Sequence, residues 1–319
     1  MNTDIYVCSK PLQYFNARNI PKGFHPGHRR VLVLVANFYN ADDFYVRVKK
    51  NDSSWSDIVK VSNVWVLYVY LLLHRFHSLI YGYDTSTILG IIHLLKKYDF
   101  YIIEEGLSTY FPIDGFDKRK NIIQEYLDKK SGVSTHWGHT SFVKGAFVYY
   151  PGLYKQLRTP NFNPTPFAKP FVEKVTEDIS LFLTLSGVED RVEELLNISD
   201  RKILLYITGW QINQKIIDRM DRERKDFDYT IIKPHPHIRD YSAFENRGLT
   251  VFKSNLMVEF LLCLWLKQGN KIFIYHEGST AVFYFKGIIK AEDLSQVKDD
   301  TYHRLIRGEL NKQHESSID

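Results

Sequence analysis

YYPGLYKQLRTPNFNPTPFAKP, residues 149–170, carries five prolines spaced among Asn and Thr residues. Proline has no amide hydrogen to donate and restricts the residue before it, so this stretch breaks regular structure and reads as a connection between domains. The sequence on either side of it has the same pattern. Before it, Ile5–Cys8 (IYVC), Val31–Ala36 (VLVLVA) and Phe100–Ile103 (FYII) read as buried strands, with helical segments over Leu12–Asn19 and Ile88–Lys97. After it, Ile203–Ile207 (ILLYI), Tyr229–Ile232 (YTII), Leu249–Phe252 (LTVF) and Lys271–Tyr275 (KIFIY) repeat the alternation, with a helix expected over Gln211–Arg224. Short, continuously apolar runs separated by helices indicate parallel strands covered on both faces. Two α/β domains are expected, residues 1–160 and 161–319, the second ending in a polar tail from about Arg307.

Composition supports this. Of 319 residues, 44% are hydrophobic and 15% aromatic, enough for two buried cores. A net charge of +5, from 42 basic and 37 acidic residues, is too mild and too mixed for a protein whose main partner is nucleic acid. Cys8 and Cys263 lie in apolar runs and read as small buried residues. No Cys/His spacing suggests zinc, and no metal is expected. The start, MNTDIYVCSKPLQYF, lacks the basic-then-apolar pattern of a secretion signal. The most apolar stretch, Val64–Leu73 (VWVLYVYLLL), is shorter than the ~20 residues of a membrane span and reads as a buried or interfacial helix. A cytoplasmic protein is expected, with room for a peripheral contact at the inner face of the membrane and for a homodimer.

In open α/β sheets ligands bind beyond the carboxyl ends of the strands, and three polar clusters occupy such positions. Glu104-Glu105-Gly106 follows FYII; one carboxylate beside another, partly buried, can act as a general base, and Gly106 permits a sharp turn. Lys233-Pro234-His235-Pro236-His237 follows YTII; prolines fix the backbone around His235, which can donate to a phosphate while Lys233 adds charge. His276-Glu277-Gly278-Ser279-Thr280 follows KIFIY and opens a helix, offering backbone N–H groups and two hydroxyls to an anion. Each cluster also has a plain alternative: a solvated acidic turn, a proline-stiffened turn, an ordinary helix cap. Asp42-Asp43 reads as a solvent-facing loop.

In the order Glu-Glu-Gly, His-Pro, Ser-Thr, and in the opening YVCSKPLQYFNA with Pro11 and Gln13, the chain resembles the bacterial sialyltransferases of glycosyltransferase family 52, with kinship to polysialyltransferase-type enzymes. The resemblance runs from residue 5 to about 285. It implies the GT-B architecture, two Rossmann-like domains facing a cleft. It further implies an inverting, metal-independent transfer from CMP-sialic acid to a sugar hydroxyl of a surface glycan, lipooligosaccharide or capsule. Carried onto this chain, Glu105, with Glu104 as the alternative, is the base, and His235 acts on the departing phosphate. Lys233, Pro236, Gly209, Glu277, Gly278, Ser279 and Thr280 line the nucleotide side. The alternatives are a CDP-polyol-phosphate transferase of the teichoic-acid type, another nucleotide-sugar transferase of the same fold, and a non-catalytic nucleotide-binding subunit of a polysaccharide assembly complex.

Overall fold

A computed structural model describes residues 2–293 apart from 39, 111–121, 135–138, 188–189, 210, 236–237, 239, 255, 278 and 286–287. Two units divide at the end of the proline-rich stretch, Met1–Pro170 and Phe171–Asp319. The expected boundary at residue 160 lies earlier because the stretch is not wholly a connection: Thr165–Pro166 adds an edge strand to the first unit's sheet. Proline is tolerated at such an edge, where no ladder donor is needed.

The first unit is a seven-stranded parallel sheet in the order β3-β2-β1-β4-β5-β6-β7. Its strands are β1 (Thr3–Cys8), β2 (Arg29–Val35), β3 (Asp57–Val61), β4 (Ser78–Tyr81), β5 (Asp99–Ile103), β6 (Val143–Val148) and β7 (Thr165–Pro166). In the second unit β8 (Lys202–Ile207), β9 (Tyr229–Lys233), β10 (Thr250–Val251), β11 (Lys271–His276) and β12 (Lys290–Asp293) form a parallel sheet in the order β10-β9-β8-β11-β12. Both sheets start in the middle, run outward to one edge, and then cross over to the other side. The strand order reverses between β1 and β4 in one unit and between β8 and β11 in the other. A crevice opens at such a reversal, beyond the carboxyl ends of the strands.

The predicted strands formed because their side chains are buried on both faces. Val31 to Val35 of β2 and Ile203 to Ile207 of β8 are all below a tenth exposed. The helices follow local signals. Pro11 opens the helix Pro11–Arg18, where its missing N–H costs nothing. Asn63 caps Val64–Leu73 by accepting from the N–H groups of Trp65 and Val66, at 2.9 and 3.1 Å. That apolar helix buries only Leu67 and Leu71 and leaves Trp65, Val69 and Leu73 exposed, so it lies on the surface of the unit. No described helix is long and apolar enough to cross a membrane. Asp42 and Asp43 face solvent as expected, but in the first turn of the helix Ala41–Asn51, where the helix dipole favours acids. Cys8 and Cys263 are buried and unpaired.

Candidate functional site

The two adjacent glutamates leave β5 in different directions and meet different fates. Glu104 is fully buried. Its carboxylate accepts from the Tyr110 hydroxyl and, at 2.7 Å, from the Tyr149 backbone N–H. Its N–H donates to the Phe147 carbonyl and its own carbonyl accepts from Asn16. Glu104 thus fastens β5 to β6, to the Pro11–Arg18 helix and to the turn that follows. Gly106, at φ +88°, starts that turn in a conformation glycine adopts without strain. The Thr109 hydroxyl then accepts from the Glu105 N–H at 2.7 Å.

Glu105 points instead to the crevice between β1 and β4. Its side chain is 2% exposed, with Oε2 3.6 Å from the ammonium of Lys10, which follows β1. Lys10 also donates to the hydroxyl of Tyr83, which follows β4, at 3.3 Å. Oε1 of Glu105 is buried and has no hydrogen-bond partner among the described residues. Burial pushes this carboxyl above the ordinary carboxylate value, and Lys10 and Tyr83 offset that only in part. Burial works against the charge on Lys10, but Glu105 and Tyr83 hold its pKa above the usual value. Gly82 makes the arrangement possible, since a Cβ there would sit 2.2 Å from Oε1 of Glu105. Asp84, also fully buried, comes two residues later. A buried, incompletely satisfied carboxyl with a lysine on one oxygen, its pKa raised by burial, is equipped to take up and return a proton.

The second unit repeats the device at its own strand reversal. Glu277, after β11, accepts from the Gly209 N–H at 2.8 Å and the Tyr206 hydroxyl at 2.9 Å, both on β8 or its exit. Its other oxygen accepts from Asn213 at 2.9 Å. A Cβ on Gly209 would meet Glu277 at 2.9 Å. Glu277 therefore holds the turn after β8 in place. Thr208, in that turn, accepts the His235 backbone N–H at 2.8 Å, which ties the β8 and β9 exits together.

The remaining predicted residues divide. Lys233 turns inward: its ammonium donates to the Ser254 carbonyl, and burial lowers its pKa to about 8, with Glu259 offsetting. It is an internal partner in this structure. The Ser279 N–H is taken by His276 Nδ1 at 3.2 Å, and the helix beginning at Thr280 is only five residues long, so this turn is less open to an anion than its sequence suggests. Pro236, Gly278 and the side chain of Thr280 lie outside the described residues. Sequence reasoning missed Lys10, Gly82, Tyr83 and Asp84. The signal for Lys10 was its place just before the helix-opening Pro11. The other three follow β4, a strand too short to be read from its four residues.

No protein-family model matches the chain, and no curated protein matches it. Among solved structures, a UDP-N-acetylglucosamine 2-epimerase from Rickettsia bellii is similar over 93% of this chain and 80% of its own, with a TM-score of 0.55 and 14% identity. A protein from Listeria monocytogenes described as a UDP-N-acetylglucosamine 2-epimerase matches over 92% of this chain and 79% of its own, at TM-score 0.53 and 8% identity. The Methanocaldococcus jannaschii UDP-GlcNAc 2-epimerase, solved with UDP-GlcNAc and UDP, matches over 89% and 81%, at TM-score 0.51 and 10% identity. The fold is of the GT-B type.

These findings correct the reading of the motifs. The assignment to family-52 sialyltransferases is not retained, nor are the CMP-sialic acid donor, the glycan acceptor, or the transferase and subunit alternatives. The physical reason is visible in the motifs themselves. Glu104 is a structural clasp and Lys233 an internal partner. Gln13 of the opening run is fully buried and accepts from the N–H and hydroxyl of Ser9, fixing the turn after β1. Such motifs secure strand exits in a doubly wound sheet and by themselves specify no ligand.

Proposed function

We propose that this protein is an enzyme acting on a UDP-activated N-acetylamino sugar, changing the configuration at sugar carbon 2, with Glu105 as a group that carries the C2 proton. The observation that carries this reading is the Glu105 carboxyl: buried, raised in pKa, with Oε1 unpartnered among the described residues, and held by Lys10 and Gly82 at the strand reversal of the first sheet. The fold likeness to UDP-N-acetylglucosamine 2-epimerases supports the proposed substrate class.

The chemistry is consistent with such a group. Carbon 2 of the sugar has no neighbouring carbonyl to acidify its hydrogen. Its proton can leave only as a leaving group departs from the adjacent anomeric carbon, and UDP is that group. The C2–H and C1–O bonds break, a C1–C2 double bond forms, and return of the proton to the other face with UDP regenerates a sugar nucleotide. A carboxyl whose pKa lies closer to the working pH serves both proton steps, typically worth ~10²–10⁴-fold in rate. Within the second unit, the turn Thr208–Gly209 is held by Glu277. Glu277 spends its oxygens on protein donors and so positions that turn. Lys10 keeps the second oxygen of Glu105 engaged.

The test is incubation with UDP-GlcNAc in D₂O, followed by proton NMR of C2. Deuterium at C2 and appearance of the C2 epimer are expected, and Glu105→Gln should abolish both while still binding UDP. Wild-type protein that binds no UDP and exchanges no C2 hydrogen would show the proposal to be wrong.

A further inference from the structure

The edge of the first sheet opposite to Lys10 and Glu105, where the strands begin, holds three histidines. His28 immediately precedes β2, His77 immediately precedes β4, and His25 lies in the loop leading to β2. One ring nitrogen from each lies within 4.8 Å of a ring nitrogen of each of the others. We propose that His25, His28 and His77 form a binding site for a divalent transition-metal ion, zinc being the expected occupant, with Asp4 as the carboxylate supporting two of the three ligands.

Asp4, on β1 and only 1% exposed, is the second, independent feature. Its carboxylate lies 3.1 Å from Nδ1 of His25 and 3.0 Å from Nδ1 of His28, and it also accepts from the Ser78 hydroxyl at 2.6 Å. A carboxylate on the Nδ1–H of a neutral imidazole fixes the tautomer, leaving the lone pair on Nε2, and it raises the basicity of that nitrogen. Metal-binding histidines almost always have such a partner on their other nitrogen.

The loop is shaped for the same end. His25 has φ +47°, in the left-handed region that side chains other than glycine seldom adopt. Strained residues of this kind persist where the surroundings hold them, frequently at ligand clamps. Phe24 stacks on the His25 ring at 3.9 Å between centroids. Pro26 and Gly27, at φ +80°, turn the chain so that His28 returns to the same carboxylate. The three rings are neighbours, with centroids 4.8 to 5.3 Å apart.

The donor set selects the ion. Three imidazoles suit zinc, cobalt, nickel or copper and disfavour calcium and magnesium, which prefer oxygen. Zinc–nitrogen bonds of about 2.0–2.1 Å in a tetrahedron place the nitrogens roughly 3.3 Å apart, so three rings with nitrogens within 4.8 Å of one another draw together on binding. His28 Nε2 lies 3.3 Å from the amide of Asn2, an exposed contact that the ion replaces. His77 is 42% exposed, with Nε2 3.9 Å from Asp99, so the site is reached from solvent. Three protein ligands leave the fourth position to water. Because the site lies at the far edge from Glu105, its role is to fasten the 20–28 loop to β1 and β4.

The experiment uses the full chain without a polyhistidine tag, stripped with a chelator and titrated with zinc against a chromogenic competitor, and separately with cobalt. The proposal expects one equivalent of zinc at micromolar or tighter affinity, the visible bands of tetrahedral cobalt, and a higher melting temperature with zinc. His77→Gln, at an exposed position, should weaken zinc at least tenfold and abolish the cobalt bands, while His74→Gln leaves both intact. Wild-type protein that binds zinc no more tightly than His77→Gln would overturn the proposal. So would full binding in a folded His25→Asn/His28→Asn variant, folding being checked by circular dichroism.

Discussion

Adjacent glutamates with opposite duties give the sharpest prediction. Glu104→Ala removes the acceptor from the Tyr110 hydroxyl and the Tyr149 N–H, both inside the first unit. A buried donor deprived of its acceptor costs about 1–3 kcal/mol, so the pair should cost roughly 2–6 kcal/mol. For units of this size each kcal/mol moves the melting temperature by about 2–4 °C, giving a fall of roughly 4 °C at the least. Glu105→Ala removes a carboxylate whose charge burial disfavours, and the Lys10 it releases is half-exposed and can turn to water. Its melting temperature at pH 7–8 should equal or exceed the wild-type value. Its C2 exchange should fall ~10²–10⁴-fold, about 3–5 kcal/mol of barrier. Thermal melts paired with NMR exchange read both properties on the same samples. A Glu105→Ala variant that melts below Glu104→Ala, or a Glu104→Ala variant that keeps wild-type stability and loses only turnover, would reverse the two assignments.

Three further outcomes are expected. Gly82→Ala should mimic loss of Glu105, because its methyl would lie 2.2 Å from Oε1 and displace the carboxyl; C2 exchange should drop at least tenfold with UDP affinity unchanged by calorimetry. Asp52 should contribute acid stability: burial opposes its ionisation, but Arg18, Tyr14 and Ser54 outweigh burial and lower its pKa to about 2. A folded pKa below the unfolded one stabilises at higher pH, so roughly 2 kcal/mol present above pH 4 should vanish as pH falls through 2, and Asp52→Asn should flatten that part of a urea-denaturation profile. Lys233, lowered by burial to about 8, binds fewer protons folded than unfolded between pH 8 and its ordinary value of 10.5. Stability should therefore rise with pH across that window, and Lys233→Met should remove the rise in denaturant melts.

Some of this was open to reading without coordinates. Strands buried on both faces must be apolar at every position, so VLVLV, ILLYI and KIFIY announced themselves, and prolines marked the region where one unit ends. Residues beyond the carboxyl ends of strands are where a parallel sheet offers a crevice, so Glu104, Glu105, His235 and Glu277 were all correctly placed at strand exits. The choice between Glu104 and Glu105 was not legible. Consecutive residues leaving a strand point to opposite sides, and which side holds Tyr110 and which holds Lys10 depends on β1, β4 and β6, all distant in sequence. Substrate class was equally hidden, because short motifs specify how a turn is fastened more than which base or sugar meets it.

The sequence by itself determined the sheet-forming segments, the covered faces and the strand-end positions of the acidic, histidine and hydroxyl clusters, because burial and backbone chemistry act locally. Tertiary structure alone decided which groups work together. Lys10, Gly82, Tyr83 and Glu105 meet only because β1, β4 and β5 are neighbours in the sheet. His25, His28 and His77 come together for the same reason at the opposite edge, since a parallel sheet with a reversed strand order brings sequence-distant segments into register.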